Sequence, residues 1–430
     1  MIQIAKDCWE NLSTFRRKRN RCRDYTFGRQ WNDIIEVDGR QMSEYEYILS
    51  EGNVPLKNNL IRRLVRNVLG VFRDKLHDVM KKEYSGKLAV IAEENSMTEI
   101  FSRLMEEFLI SGLVVVRKRI GLKNDSPMIF TDMVSPSSFF YNTDSLDVRG
   151  WDINVVGQIH RVDFGDWCSA FVKDSASYQN AKKIFSDHKY LKVTEMWRKE
   201  TSPGVMLHDR EKGIIIKTSE KEARQYTGSR YRKKWCLDEI WRYYFMTEDG
   251  NVITSGDSPY PGGEHPYVMK GYPMLDGEIQ SFVADLIDQQ RYTNRLITLY
   301  DWVIRASAKG VLLLPKDCVE PQNIRTVADQ WGRFNGVIVY NPKIGQPEPK
   351  QISGQMSNLG ISELLEIQLK MLEDVSGVNG ILQGNTGRGN VSGELYKSQT
   401  TNAMYSLADL LETFMTFVHE NSVKDASFLQ

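Results

Sequence analysis

Two carboxylates three residues apart, Asp285 and Asp288, sit among apolar residues on a helical stretch, with Arg291 and Arg295 one and two turns further on. Acidic side chains at this spacing can share a divalent metal for nucleic-acid cleavage, but guanidinium groups so close suit ion pairing, here read as pairing between subunits. Glu93-Glu94 and Glu106-Glu107 are further acidic pairs and read as solvated helix surface. The six histidines, His77, His160, His188, His208, His265 and His419, are never at ligand spacing, and no H-E-x-x-H is present. Cys8, Cys22, Cys168, Cys236 and Cys318 are scattered and odd in number, which argues against both a thiolate zinc site and a disulfide framework. There is no G-x-x-x-x-G-K-[ST] phosphate loop and no G-x-S-x-G nucleophile elbow. Gly387-Arg-Gly389-Asn-Val-Ser-Gly393 has the glycines of a dinucleotide fingerprint without its spacing, and it follows a helix rather than a strand. No constellation demands an enzyme, a metal or a cofactor.

The 430 residues carry 56 basic and 56 acidic side chains. A protein that grips nucleic acid over its whole surface carries excess Lys and Arg, so any DNA contact here must be local. The longest apolar run, Phe108 to Val116, is interrupted by Ser111 and Gly112 and falls short of the roughly 20 residues of a membrane span. The opening MIQIAKDCWENLS lacks the basic and apolar regions of a signal peptide, and a reducing cytoplasm is the simplest compartment.

Periodicity then supplies the elements. A helix with a basic stripe (six Lys or Arg between Arg16 and Arg23) is expected up to about residue 24, with a break at Gly28. Its basic face is read either as solvated or as a polyanion contact. Asn58–Met80 is strongly amphipathic, and a second helix is expected from Ser96 to Ser111, opened by a Ser96/Glu99 capping box and closed by Gly112. Leu113–Ile120 reads as a strand. From about 128 to 270 short β-like runs alternate with turns: Met128–Met133, Leu191–Trp197, Gly213–Thr218, Trp235–Phe245 and Asn251–Ser255. Gly250 fits a hairpin turn between the last two. A long helix is expected from Gly277 to Ala308, then β-like Val311–Leu314 and Gly336–Tyr340 around a polar, helix-like piece. A helix over Ser357–Val375, a glycine-rich loop Gly377–Gly393 and a final helix Ser392–Val423 complete the chain. The fold class is α+β, with two helices flanking a small insert.

Taken in order, several stretches resemble the portal proteins of tailed bacteriophages, particularly the short-tailed type. They are Tyr25-x-x-Gly-x-Gln-Trp31, Asn59-Leu-Ile-Arg-Arg-Leu-Val-Arg-Asn-Val-Leu-Gly70, Glu107-Phe-Leu-Ile-Ser-Gly112 and the turn Val134 to Asp144. Asp288-x-Gln290-x-x-x-Asn294 and Ser376-Gly-Val-Asn-Gly-Ile-Leu-Gln-Gly384 followed by Ser392-Gly-Glu-Leu complete the series. The resemblance implies a portal fold: a mixed α/β wing over 1–275, stem helices over 276–310 and 356–376, and a small α/β clip over 311–355. A tunnel loop over 377–391 and a long C-terminal wing helix over 392–430 would follow, with a crown minimal or absent. It implies a non-enzymatic homo-oligomeric ring, in this family a dodecamer, at one capsid vertex of the virion. Double-stranded DNA would pass through it during packaging and ejection. Large terminase, major capsid protein and tail or adaptor proteins are the implied partners, with no membrane. Within the tunnel loop Asn379, Gln383, Asn385, Arg388 and Asn390 are candidates to face DNA without gripping it, and Gly377, Gly380, Gly384, Gly387 and Gly389 would let the loop change shape. Asp285, Asp288, Arg291, Arg295, Leu296 and Tyr300 are candidates for the contact between subunits. Another structural virion component, an adaptor or capsid-associated protein, and a metal-dependent nucleic-acid enzyme are the alternatives.

Overall fold

The computed structural model describes residues 1–123, 126–309, 311–315, 319, 323–332, 345, 348–352, 360–378 and 404–429. In chain order the elements are α1 (Ile2–Asn11), α2 (Ser13–Thr26), β1 (Ile34–Val37), β2 (Arg40–Ser43), α3 (Glu44–Ser50), α4 (Leu60–Glu83), α5 (Lys87–Glu94) and α6 (Met97–Ser111). Then come β3 (Leu113–Lys123), β4 (Ser126–Met133), β5 (Phe139–Tyr141), β6 (Val155–Val162), α7 (Phe164–Phe171), α8 (Ser175–Ile184), β7 (Leu191–Asp209), β8 (Ile214–Ser219) and α9 (Glu220–Ala223). They are followed by β9 (Tyr231–Thr247), β10 (Val252–Asp257), β11 (Tyr267–Gly271), β12 (Pro273–Leu275) and β13 (Glu278–Ile279). The last are α10 (Ile287–Lys309), β14 (Val311–Leu313), α11 (Ile324–Gly332), β15 (Lys350–Ile352), α12 (Ile361–Ser376) and α13 (Ala408–Phe428).

The chain forms two units, each discontinuous in sequence. The first comprises Met1–Gly28, Leu60–Ile287 and Glu373–Gln430, and the second Arg29–Asn59 and Asp288–Leu372. Residues 29–59 thus fold with the stretch that begins at Asp288.

In the first unit a six-stranded sheet runs β10-β9-β7-β6-β5, with β8 added along β7, and a three-stranded sheet runs β11-β3-β4. All strand pairs in both are antiparallel. Helices α4 and α6 turn their apolar stripes inward, and α13 brings aromatic rings against them. Phe414 meets Phe72 at 5.0 Å and Phe108 at 5.5 Å, and all three are buried. Edge-to-face rings of this kind add about 0.5–1.5 kcal/mol per pair beyond their burial.

Two glycines are needed where the backbone leaves no room for a side chain. Gly112 ends α6 at φ +74, and a Cβ there would lie 2.7 Å from the Gln280 carbonyl oxygen. On β6, a Cβ at Gly157 would lie 2.2 Å from the Glu195 carbonyl oxygen and 2.5 Å from the Phe140 ring.

Several local expectations change. The first helix is two helices that meet at Leu12. Part of its basic stripe is structural: Arg19, 7% exposed, donates to both Glu107 oxygens at 2.8 Å and to Ser137 at 2.7 Å, and Arg16 stacks 3.5 Å above Trp9. Ser96 precedes α6 in the left-handed region at φ 53 and makes no side-chain cap, because capping requires an extended residue there. Glu99 instead meets Arg103 and Arg73. A capping box does form at Ser43/Glu46, opening α3. Gly277 does not open the long helix. It turns the chain at φ +78 between β12 and β13, and α10 begins ten residues later at Ile287. The strands Leu191–Trp197 and Trp235–Phe245 are the inner parts of a much longer hairpin, β7 with β9. Gly250, at φ +89, does sit in the turn between β9 and β10.

Candidate functional site

The second unit gathers residues from motifs far apart in sequence into one buried amide network. Asn294 on α10 donates through Nδ2 to Gln30 Oε1 at 2.7 Å, and Gln30 Nε2 donates to Asn59 Oδ1 at 3.0 Å. Gln290, one turn before Asn294, donates to the Asn58 carbonyl at 2.7 Å and to Asn294 Oδ1 at 3.0 Å. The Asn58 backbone N–H also donates to Asn294 Oδ1, at 3.1 Å. Gln290 and Asn294 are fully buried and Gln30 is 1% exposed. Amides suit this place because each offers both donors and an acceptor, so the chain entering at Gln30 and leaving at Asn59 is tied to α10 with its polar groups satisfied. Thr298, one turn on, continues the line by accepting from the Leu56 N–H at 3.1 Å.

Beside the amides, Glu44 is the buried hub of a charge cluster. It is 2% exposed and accepts from Arg291 Nε at 3.1 Å and from the Arg295 guanidinium. Within the chain these arginines pair with Glu44 rather than with Asp285 or Asp288. A buried carboxylate recruits the nearest cations, and one turn of α10 presents both. Asp285 accepts from Gln280 Nε2 at 2.7 Å, and Asp288 is exposed. Leu296 is 6% exposed, so the chain itself already covers it, whereas Tyr300 is 38% exposed. Tyr292, Leu299, Trp302 and Ile304 on α10 are exposed as well, as are Ile367, Met371 and Val375 on α12. These helices thus show apolar surface that the described residues leave in solvent.

Asn379, Gln383, Asn385, Arg388 and Asn390, with Gly380, Gly384, Gly387 and Gly389, lie outside the described residues. So do residues 336–340 and 392–403. Gly377 is described, and its role is geometric: it closes α12 at φ +66, and its carbonyl accepts from Ser406 Oγ at 2.9 Å. A Cβ at Gly377 would meet that hydroxyl at 2.6 Å. The residues flanking positions 379–403 are therefore held together.

The first unit carries two charge networks that start from adjacent residues of β3. Successive side chains on a strand point to opposite faces, so Arg117 and Lys118 serve different layers. Lys118 is fully buried, and its Nζ donates to Asp425 Oδ2 on α13 at 2.8 Å and to Thr131 Oγ1 at 2.9 Å, while Tyr84 also donates to Asp425, at 3.3 Å. Burial lowers the Lys118 pKa and raises that of Asp425, and their mutual attraction opposes both shifts. Arg117 points the other way, and its Nε lies 3.1 Å from Glu195 Oε1. Glu195 has no exposed surface, and it also accepts from Trp197 Nε1 at 2.8 Å and lies 2.7 Å from His160 Nε2. Burial alone would raise its pKa, but the Arg117 charge and the bonds from His160 and Trp197 outweigh this and hold it at about 2. Arg117, His160, Glu195 and Trp197 line a cleft of about 880 Å³, walled further by Tyr243, Phe245 and Tyr260.

Sequence reasoning places Gln30, Asn59, Gln290 and Asn294 in separate stretches without showing that they meet. The available signal is two amides four residues apart inside an otherwise amphipathic helix. Glu44, Lys118, Glu195 and Asp425 give none. These arrangements hold structure together; among the described residues no group of three or more His, Cys, Asp or Glu could bind a metal, and no helix is long and apolar enough to cross a membrane. A search of the curated proteins finds no match. The family model for the phage P22-like portal protein matches residues 2–423, nearly the whole length, and the chain belongs to that family of structural head-to-tail connectors.

Proposed function

We propose that the chain is one subunit of a homo-oligomeric ring, a dodecamer, set at one vertex of a bacteriophage capsid, through which double-stranded DNA enters during packaging and leaves during ejection. The observation that carries this reading is the family match over residues 2–423. The helix–insert–helix layout agrees with it: α10 and α12 bracket a short insert, and β14 pairs antiparallel with β15 where the insert begins and ends. In this reading residues 1–275 serve chiefly as the wing, 276–310 and 356–376 as the stem, 311–355 as the clip, 377–391 as the tunnel loop and 392–430 as the returning wing helix. The exposed apolar surface of α10 and α12 is what a closing, head-to-tail contact between copies would cover. Tyr300 belongs to that surface. Leu296 does not, and Arg291 and Arg295 contribute through Glu44 by fixing how α10 is presented.

A conduit must hold DNA loosely, since every phosphate neutralised adds affinity that resists sliding. A chain with balanced charge and a loop candidate bearing one arginine, Arg388, among amides fits that demand. Terminase, capsid protein and tail or adaptor proteins are the partners this role needs. The test is negative-stain electron microscopy of the purified protein with its native mass. Rings of about a dozen copies around an open channel are expected. A compact dimer without a channel would overturn the reading.

A further inference from the structure

The outer part of the six-stranded sheet has one face that nothing in the described chain covers. There β8, β7 and β9 lie side by side. Their registers place Lys217, Met206 and Lys234 in one row and Ile215, His208 and Arg232 in the next. Directly opposed residues share a face, and residues two apart on a strand share it too, so these six side chains form one surface. The opposite face is occupied: α9 packs there over Leu207, which is fully buried, and Lys233 Nζ donates to the Ala223 carbonyl at 2.6 Å. Lys217, Lys234, Arg232, His208 and Ile215 are all exposed.

The stretch that carries this face is basic, although the chain as a whole is neutral. From His208 to Trp235 nine Lys or Arg stand against four Asp or Glu, whereas the whole chain balances 56 against 56. Lys217 has one partner, Asp238, at 3.0 Å. Arg232 and Lys234 have no carboxylate in ion-pairing reach among the described residues. Two residues apart on one strand, they are separated by about 6.8 Å, and Lys217 lies about two strand spacings, roughly 10 Å, from Lys234. Three cations within about one Debye length repel one another, and a polyanion laid across the sheet reverses that cost. The face carries no Asn or Gln to read base edges, so recognition would go through phosphates alone.

We infer that this face, Lys217, Arg232 and Lys234 with His208 at its centre, is a second DNA-binding surface of the wing, separate from the tunnel-loop candidates and indifferent to sequence. The choice of duplex DNA over an acidic polypeptide rests on the proposed role as a genome conduit and on cations that stand about 6.8 to 10 Å apart with no amide among them.

The test is fluorescence anisotropy with a labelled random-sequence duplex, titrated against the full-length protein from low to physiological salt. Wild type and the R232Q/K234Q and R232E/K234E variants are compared, with R232K/K234R as the charge-preserving control. The expected result is an affinity at low salt at least about tenfold weaker in both charge-removing variants. A salt slope shallower by about two in R232Q/K234Q, and wild-type binding by R232K/K234R, are expected with it. Equal affinity and slope in wild type and R232Q/K234Q would overturn the inference. So would displacement of the duplex by polyglutamate at equal charge concentration, which would assign the face to an acidic protein. Electron microscopy of the same samples separates this result from the ring reading: where wild type and variants form rings alike, the DNA comparison alone decides the role of this face. Absence of rings would count against the conduit without altering that comparison.

Discussion

Asn294 donates its side-chain amide to Gln30 across 2.7 Å, although 264 residues separate the two in sequence. Gln30 lies beyond the N-terminal helices, and Asn294 lies two turns into α10. Both are sealed from water, so a bond lost between them is not replaced by solvent. Asn294→Ala removes the donor to Gln30 Oε1 and the acceptor of the Asn58 N–H, and we expect it to cost roughly 2–3 kcal/mol, at about 1–3 kcal/mol per buried group deprived of its partner. Urea unfolding checks this. Gln290→Ala combined with Asn294→Ala should cost less than the sum of the two, since both serve one network.

The Lys118–Asp425 pair makes a second prediction. Each partner is fully buried, so removing one leaves an uncompensated charge. Asp425→Ala should destabilise by about 3–5 kcal/mol, while Lys118→Met with Asp425→Leu should recover most of that loss. A double variant as unstable as Asp425→Ala would show that the pair is more than an exchangeable strut.

Glu195 sets an acid limit. Its carboxyl titrates at about 2 in the folded chain, below the ordinary 4.5, because Arg117, His160 and Trp197 favour the ionised form. The unfolded chain therefore takes up this proton first as pH falls. The stabilisation is complete above about pH 4.5 and is lost as pH descends toward 2. Glu195→Gln should be less stable by roughly 3 kcal/mol at neutral pH, since Arg117 is left without its charge partner. It should also show a flatter pH dependence of unfolding across that window, followed by chemical denaturation at several pH values.

Gly157→Ala tests the closest approach in the sheet. The added methyl would overlap the Glu195 carbonyl oxygen and the Phe140 ring, both held by β pairing. A loss of about 1–3 kcal/mol is expected, the usual cost of overpacking a rigid core. An unchanged melting temperature would mean that β6 and β7 can part at no cost.

Leu296 and Tyr300 should separate folding from assembly. Leu296→Ala removes buried atoms and should cost about 2–4 kcal/mol in the unassembled chain. Tyr300→Glu adds charge to an exposed position and should leave monomer stability within about 0.5 kcal/mol, yet reduce ring formation in native mass and electron microscopy. The reverse pattern would move the subunit contact away from this face of α10.

The helices are legible in the sequence because their apolar residues repeat at helical spacing. Leu64, Val68, Phe72 and Leu76 mark α4 plainly, and all are buried. The outer ends of the long β7–β9 pair are not, because β7 beyond Thr201 opens with Ser202, Pro203 and Gly204, and β9 before Trp235 reads Tyr-Arg-Lys-Lys, neither of which shows apolar alternation. Helices α7 and α8 escape notice as short pieces inside a β-like region. Motif residues such as Gln30 and Gln290 can be singled out, but their meeting depends on a chain reversal across most of the molecule, which no local pattern encodes. The Ser96 cap fails for the same reason: Ser-x-x-Glu is a local rule, and the turn after α5 imposes another backbone there.

The position of Asp425 has a consequence for biosynthesis. Its partner Lys118 is made first, and its own helix follows with 307 residues of chain between them. Until α13 leaves the ribosome, Lys118, Phe72 and Phe108 lack the cover it provides, and the first unit cannot close around them. A polypeptide whose synthesis stops before α13 would display an apolar wound with a bare ammonium at its centre, open to chaperones and proteases. Closure of the first unit thus waits on synthesis that has passed Asp425.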